Sequence, residues 1–251
     1  MTFAYQLYSS RNFTPLGDTL RMVADLGYAG VEGYGALLAD ADMLAALEAG
    51  LKDSGLAMRS SHVALDDVER DPAGTIAIAR RLGMEQVHFP YLMPDNRPTD
   101  AAGWAAFGAR CDAAAAPLRD AGLTVGWHNH DFEFRALPDG SLPFDHMMQG
   151  NDLAVELDAA WVAVAGVDPS QVIAAYADRL SAVHLKDRAP EGDKTDEDGW
   201  ADLGSGSLDW PAYAAAIKAT DCNHLVMEHD NPSDHRRFAS VSLAAAKELW
   251  A

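Results

Sequence analysis

The sequence predicts a single-domain α/β fold, a (β/α)8 TIM barrel, on three observations. Short apolar runs alternate with longer, Ala-rich amphipathic runs, the pattern of strands followed by helices. Eight such pairs fit into 251 residues, at roughly the 30-residue spacing of βα units. No linker, composition shift or low-complexity tract divides them, so one domain is expected over residues 1–251. Alternating units imply a parallel sheet, and eight of them in this length imply a closed barrel. An open doubly wound sheet that bound a dinucleotide would carry Gly-x-Gly-x-x-Gly after its first strand. Here that turn reads Ser9-Ser10-Arg11-Asn12.

Each element has its own signal. Phe3 to Tyr8 is the first expected strand, and Thr14 to Leu26 a helix with Pro15 in its first turn and Gly27 as its stop. Ala29 to Gly33 is the second strand, followed by a helix over Ala39 to Ser54 that ends at Gly55. Leu56 to Val63 is the third, with a helix from Asp71 to Leu82 and a stop at Gly83. Glu85 to Phe89 is the fourth, followed by a Pro-rich loop and a helix from Asp100 to Ala121. Leu123 to Asn129 is the fifth, with a long loop and at most a short helix over Leu142 to Gln149. Asp152 to Leu157 and Leu180 to Leu185 are the sixth and seventh, separated by a helix from Pro169 to Arg179. A polar loop from Lys186 to Ser207 precedes a helix over Asp209 to Thr220. His224 to Glu228 is the eighth strand, and Asp234 to Leu249 the closing helix.

Composition narrows the function. With 49% hydrophobic residues the chain can fill a sizeable core. No run approaches the roughly 20 apolar residues of a membrane span, and Met1-Thr2-Phe3-Ala4-Tyr5 has no basic region leading into an apolar one. A cytoplasmic protein without membrane partners is expected. Cys111 and Cys222 lie far apart, match no metal spacing, and read as small buried hydrophobes. A formal charge of -19 argues against nucleic acid as a partner, because a non-specific grip on phosphates needs Lys and Arg. It leaves room for a small anionic substrate met by a local basic patch or a bound cation.

The densest chemistry lies in Gly126 to Phe134, Gly-Trp-His-Asn-His-Asp-Phe-Glu-Phe. Side chains alternate along a strand, so His128 and His130 share one face of its end. Barrel enzymes gather functional groups at the C-terminal ends of strands, and every expected strand here ends in polar residues. In order they are Gln6 and Arg11; Glu32 and Tyr34; His62; His88 and Tyr91; His128, His130 and Glu133; Glu156, Asp158 and Trp161; His184, Lys186 and Asp187; Glu228 and His229. A hard divalent cation favours oxygen ligands with a minority of imidazoles. Asp158, His184 and Glu228, from successive strands, supply that mixture.

Five motifs carry a resemblance. They are Trp-His-Asn-His-Asp-Phe-Glu-Phe (127–134), Glu-Leu-Asp-Ala-Ala-Trp (156–161), His-Leu-Lys-Asp (184–187), Gly-Ser-Gly-Ser-Leu-Asp-Trp (204–210) and Met-Glu-His-Asp (227–230). Together they resemble the sugar phosphate isomerase/epimerase family of xylose isomerase-like barrels, the superfamily of AP endonuclease family 2, with endonuclease IV and inosose dehydratase as relatives. The likeness extends over nearly the whole chain. It implies one divalent metal, Mn2+ first and Mg2+, Co2+ or Zn2+ after it, held by Glu, Asp, His and Glu from the last four strands. Asp158, His184 and Glu228 match the last three of those ligands. At the place of the first, this chain has His128-Asn129-His130 where many members have Glu-Asn-His. Either His128 is the ligand or Glu133 reaches back. Glu133 is the expectation, because three carboxylates and one imidazole suit Mn2+ better than two and two.

The resemblance also implies proton abstraction beside a carbonyl of a keto sugar or sugar phosphate, through an enediolate. Proton return to the neighbouring carbon gives an isomerase, return to the opposite face an epimerase, and loss of a β-hydroxyl a dehydratase. An isomerase or epimerase is the first expectation, with Glu133, Glu228, His130 and Lys186 as catalytic groups. The alternative is an inosose dehydratase-like or keto-sugar lyase on the same metal site, because His128 disturbs the two-glutamate arrangement of the epimerases. Glu32, His62, His128, Trp161 and Arg11 are expected to touch the substrate. A DNA endonuclease would need about nine metal ligands and a basic surface, and Trp161 stands where it would carry a His. Gly204-x-Gly206 reads as a turn or a phosphate loop, and Lys186 as an oxyanion contact or a partner of Asp187. Homo-dimers or tetramers are usual for barrels of this resemblance.

Overall fold

A computed structural model describes residues 2–251. The strands are β1 (Thr2–Gln6), β2 (Gly30–Gly33), β3 (Ala57–His62), β4 (Gln86–Phe89), β5 (Thr124–His128), β6 (Ala154–Asp158), β7 (Leu180–Leu185), β8 (Asp187–Arg188), β9 (Trp200–Ala201) and β10 (His224–Met227). Strands β1 to β7 pair in sequence order and β10 closes the ring between β7 and β1. All eight barrel pairs are parallel, and β8 and β9 form a separate antiparallel ribbon. The predicted (β/α)8 barrel is therefore the fold.

Outward-facing Val31, Val87, Val125, Val155, Val183 and Leu225 are buried in the layer between strands and helices. Six of the helices start where the sequence places an aspartate. Asp40, Asp71, Asp100, Asp168, Asp209 and Asp234 each accept a backbone N–H of the following first turn. Part of the acidic composition is thus helix-capping. Predicted stops at Gly27 and Gly55 are left-handed residues at φ +94° and +72°, where a side chain would be strained.

Short helices over Gly35–Ala39 and Leu65–Arg70 were not expected, and three further elements differ. Strand β1 ends at Gln6, because the Gln6 side chain accepts Tyr8 N–H and turns Leu7–Ser10 into a 3-10 segment. A short helix, Ala159–Val164, follows β6 at once, since Asp158 caps it. The polar stretch after β7 contains the β8–β9 ribbon, whose register pairs Asp187 with Ala201 and Arg188 with Trp200. A short helix over Pro143–Met148 bears out the expectation for that loop. Among the described residues no helix is long and apolar enough to cross a membrane.

The barrel interior is polar. Barrels of this type usually fill it with branched aliphatic side chains. Here Gln6, Glu32, Ser60, His62, His88, His128, Glu156, His184 and His224 are all buried, and they bond to one another across the ring. Gly126 makes room for one of them. A Cβ there would lie 3.0 Å from His88 Cδ2 and 2.6 Å from Ala154 O.

Candidate metal centre

Strands β5, β6 and β7 and the residue after β10 each deliver one side chain to a common point. Donor atoms of His128, Asp158, His184 and Glu228 lie within 4.8 Å of one another, and all four side chains are buried. Asp158 is set by two contacts. Asn129, pointing away from the imidazoles as alternation requires, clamps its backbone, with Oδ1 accepting Asp158 N–H at 2.9 Å and Nδ2 donating to Asp158 O at 3.2 Å. Asp158 Oδ1 accepts Trp161 N–H at 3.0 Å. Its Oδ2 is buried without a hydrogen-bond partner. The Lys186 ammonium lies 3.6 Å from it, beyond hydrogen-bond distance, so the oxygen is free to meet a cation at this point.

Two glutamates beneath orient the imidazoles. His184 Nε2 lies 2.7 Å from Glu32 Oε1, while its Nδ1 faces Glu228 Oε2 at 3.0 Å. His128 Nδ1 lies 3.2 Å from Glu156 Oε2, which also takes His62 Nε2 at 2.6 Å. A carboxylate behind an imidazole fixes its tautomer and raises its basicity toward a metal. Burial opposes charge on His184, but Glu156, Glu228 and Glu32 outweigh it and hold the imidazole well above its ordinary range. Burial and then the neighbouring His184 press His128 down to about 3, so it is neutral with a free lone pair. Burial lifts Asp158 to about 6 against the pull of Lys186. Glu228 stays well below the usual carboxylate range, because Lys186 and His184 overcome the effect of burial.

Glu133 stands apart. It belongs to none of the close donor groups among the described residues. Its Oε1 accepts Trp127 Nε1–H at 2.7 Å and its Oε2 accepts His130 N–H at 2.9 Å. The short 3-10 turn Phe132–Phe134 swings the side chain away from the strand face that carries His128. The expected reach-back of Glu133 is thus replaced by a structural bond across its own loop, and His128 occupies the fourth donor position. Burial pushes the Glu133 carboxyl up to about 8 despite the Trp127 bond.

A cavity of about 400 Å3 opens above the donors, lined in part by Tyr34, His62, Tyr91, His130, Glu228 and Asp230. His130 is held there between rings, 4.9 Å from Tyr91, 5.9 Å from Phe132 and 5.4 Å from Trp161. Its Nδ1 has no hydrogen-bond partner. Burial, with His128 and Lys186 nearby, keeps it well below its ordinary pKa and therefore neutral. Lys186 is fully buried, and it pairs with Asp230 at 2.6 Å, Glu228 at 3.4 Å and Asp158 at 3.6 Å rather than with Asp187. Burial alone would depress its ammonium, yet those three carboxylates hold it above its ordinary range.

The remaining predicted residues sort cleanly. Glu32 lies beneath the cavity, not in its wall, and His62 lies between the two. Trp161 packs on Trp200 at 4.6 Å, with the Lys186 ammonium 4.9 Å from its ring. Arg11 donates to Asp230 O and to Tyr8 O, and lies 4.0 Å over the Tyr8 ring. Gly204 and Gly206 donate their N–H groups to Asp187 Oδ2 at 2.9 and 3.2 Å. That loop therefore holds an internal carboxylate and is the turn of the two readings. Glu156, Asp230 and Asn129 are site residues that the sequence reading did not assign. Glu156 was open to discovery, since it sits two residues before Asp158 and shares its strand face.

The family model for xylose isomerase-like TIM barrels matches residues 20–249. The chain belongs to that family. Its fold is similar to a sugar phosphate isomerase/epimerase from Parabacteroides distasonis, with 20% identity, TM-score 0.80, and coverage of 100% of this chain and 94% of that one. It is similar to a D-psicose 3-epimerase crystallised in the presence of D-fructose, with 14% identity, TM-score 0.73, and coverage of 99% and 98%. It is also similar to IolI, whose structure has a bound zinc atom, with 15% identity, TM-score 0.76, and coverage of 100% and 96%. No curated protein matches the chain significantly in sequence.

Proposed function

We propose that this protein is a divalent-metal-dependent isomerase or epimerase of a small keto sugar. The observation that carries this is the buried group His128, Asp158, His184 and Glu228, converging from four strand ends beneath an open cavity. Two imidazoles and two carboxylates suit Mn2+ or Zn2+, and the zinc in the similarly folded IolI supports a metal here. A cation held by these four residues would polarise a carbonyl oxygen and stabilise enediolate charge.

The chain's own residues divide the rest of the work. His130 is a neutral imidazole facing the cavity, placed to take the proton beside the carbonyl. The imidazolium formed on His130 returns the proton it took, and Glu228, an ionised carboxylate lining the same cavity, can accept a proton from the other side of the substrate. Lys186 remains an ammonium behind the cavity wall, paired with Asp230, Glu228 and Asp158, and its charge offsets the negative charge that develops. Glu133 acts through the His130 backbone, fixing where that imidazole stands. The cavity lining includes Glu228 and Asp230 and has no Lys or Arg, while Arg11 is engaged by main-chain carbonyls. An unphosphorylated sugar, stacked on Tyr34 or Tyr91, suits that wall better than a sugar phosphate.

A β-elimination is the second reading, and His128 favours it. With an imidazole in place of a carboxylate, His130 can take the proton as base and, as the imidazolium so formed, supply it to the departing β-hydroxyl. Incubation of a keto-sugar panel in deuterated water with Mn2+ distinguishes the two. Deuterium gain without a new unsaturated product is expected, and an enone absorbance instead would establish the lyase. Asp158→Asn is expected to remove Mn2+ binding and exchange together while the circular dichroism spectrum is retained; undiminished exchange in that variant would refute the assignment.

A further inference from the structure

We infer that the barrel interior binds a second divalent cation, between Glu32, His88 and Glu156, one layer beneath the first. Donor atoms of these three side chains lie within 4.8 Å of one another, and each side chain is 0% exposed. They come from β2, β4 and β6, alternate strands whose inward residues form one layer of a barrel. None of the three belongs to the group of His128, Asp158, His184 and Glu228. The two groups share no residue, although Glu156 also lies within 4.8 Å of donor atoms of His62, His128 and His184.

Each glutamate divides its two oxygens. Glu32 Oε1 takes His184 Nε2 and Gln6 Nε2–H, both at 2.7 Å, and Glu156 Oε2 takes His62 Nε2 at 2.6 Å. The other two oxygens turn toward His88, with Glu156 Oε1 at 3.0 Å and Glu32 Oε2 at 4.0 Å from its Nδ1. Glu32 Oε2 also accepts the Ser60 hydroxyl. The tautomer of His88 is fixed from its far side. Ser181 Oγ donates its single proton to Val155 O at 3.2 Å, so it accepts from His88 Nε2–H, also at 3.2 Å. In the neutral ring His88 Nδ1 is then the lone-pair nitrogen, free for a cation, and it faces a carboxylate oxygen. Neither His88 Nδ1 nor Glu156 Oε1 has a hydrogen-bond partner.

His88 Nδ1 and Glu156 Oε1 lie 3.0 Å apart in a dry interior without an aligned hydrogen bond between them. A divalent ion among them answers both and offsets the two carboxylates. An oxygen-rich set with one imidazole suits Mn2+ or Zn2+. The route inward is short. His62 lines the cavity, and the same ring touches Glu156.

The test is a titration of chelator-stripped protein with Mn2+, counting bound ions by electron paramagnetic resonance. Wild type is expected to bind two ions per chain, with the dipolar broadening of close neighbours that a remote surface ion does not produce. Asp158→Asn is expected to keep one, the deep ion. His88→Leu is expected to keep the upper one, and Glu156→Gln serves the same purpose should His88→Leu fail to fold. A single wild-type ion lost in Asp158→Asn overturns the deep site while sparing the proposed function. Two ions in wild type without broadening, or two retained in His88→Leu and Glu156→Gln, overturn it as well. One ion that survives Asp158→Asn and disappears in His88→Leu or Glu156→Gln supports the deep site and removes the upper one. No ion in wild type defeats both.

Discussion

His128 differs from a carboxylate in what it offers a cation: one lone pair and no charge. The deficit is met one layer down, where Glu156 backs the imidazole at 3.2 Å. His128→Ala is expected to weaken Mn2+ binding by more than the roughly 10- to 100-fold typical of losing an outer-shell partner. Glu133→Gln is expected to bind Mn2+ as wild type does. It should unfold more easily, because an amide NH2 would meet Trp127 Nε1–H or His130 N–H, leaving a buried donor unpaired at about 1–3 kcal/mol. Calorimetric titration and thermal melting of the two variants read both outcomes, and weakened Mn2+ binding in Glu133→Gln would return it to the ligand set. Lys186→Met is expected to retain Mn2+ and lose about 100-fold or more in kcat, the scale of removing one donor to a developing oxyanion; an unchanged kcat would strip Lys186 of that role. Asp158, His184 and Glu228 were legible in the sequence because each ends an apolar strand. The roles of His128 and Glu133 were not. Four residues separate them, and whether such a segment continues as strand or curls into a 3-10 turn depends on Trp127 offering its N–H from inside the barrel wall.

The β8–β9 ribbon packs behind the site, with Trp200 4.2 Å from the Lys186 ammonium and 4.6 Å from Trp161. Glu197 ties the loop between its strands to the start of the last helix. Its Oε1 accepts Ser233 N–H at 2.7 Å and Arg237 Nη2–H at 2.8 Å, and Lys194 lies 3.3 Å from Oε2. Burial opposes its charge, but Ser233 and Arg237 bring the carboxyl down to about 2. A depressed carboxylate stabilises the fold above its unfolded pKa of about 4.3, and that stabilisation is lost as pH falls toward the folded value. At most about 2 kcal/mol should be lost between pH 5 and pH 3. Urea unfolding at the two pH values is expected to show this component in wild type and not in Glu197→Gln; equal slopes would dissociate the ribbon from Glu197. The eight barrel strands were legible because apolar runs are followed by helices with recognisable ends, most clearly where an Asp cap and a Gly stop coincide, as at Asp40 and Gly55 and at Asp71 and Gly83. The ribbon was not, since two-residue strands leave no periodicity. The helix after β6 was hidden for another reason: Asp158 is strand end, candidate ligand and helix cap at once.

Across the whole molecule, the formal charge of -19 has two structural destinations. Many aspartates cap helices at the rim, and a smaller set of carboxylates lies inside the barrel with the histidines. Burying charge in a core is unfavourable unless it is paired. A polar barrel interior is therefore a commitment to protons or cations as part of the packed structure. The sequence contained this in plain view, as residues such as Glu32, His88 and Glu156 at alternate strands. Only ring closure shows that they meet, because register across eight strands decides which side chains share a layer.

Lys186 is wedged between two indoles, 4.2 Å from the Trp200 ring centre and 4.9 Å from that of Trp161. A charge at that distance shifts the excited state of an indole, so the packing also makes the protein its own optical indicator. Zn2+, which is colourless and diamagnetic, should change the tryptophan emission in proportion to occupancy of the upper donor group. The change should be absent in Asp158→Asn and reduced in Trp200→Phe. Emission that ignored Zn2+ in wild type would mean that Lys186 and its carboxylates do not respond to the cation.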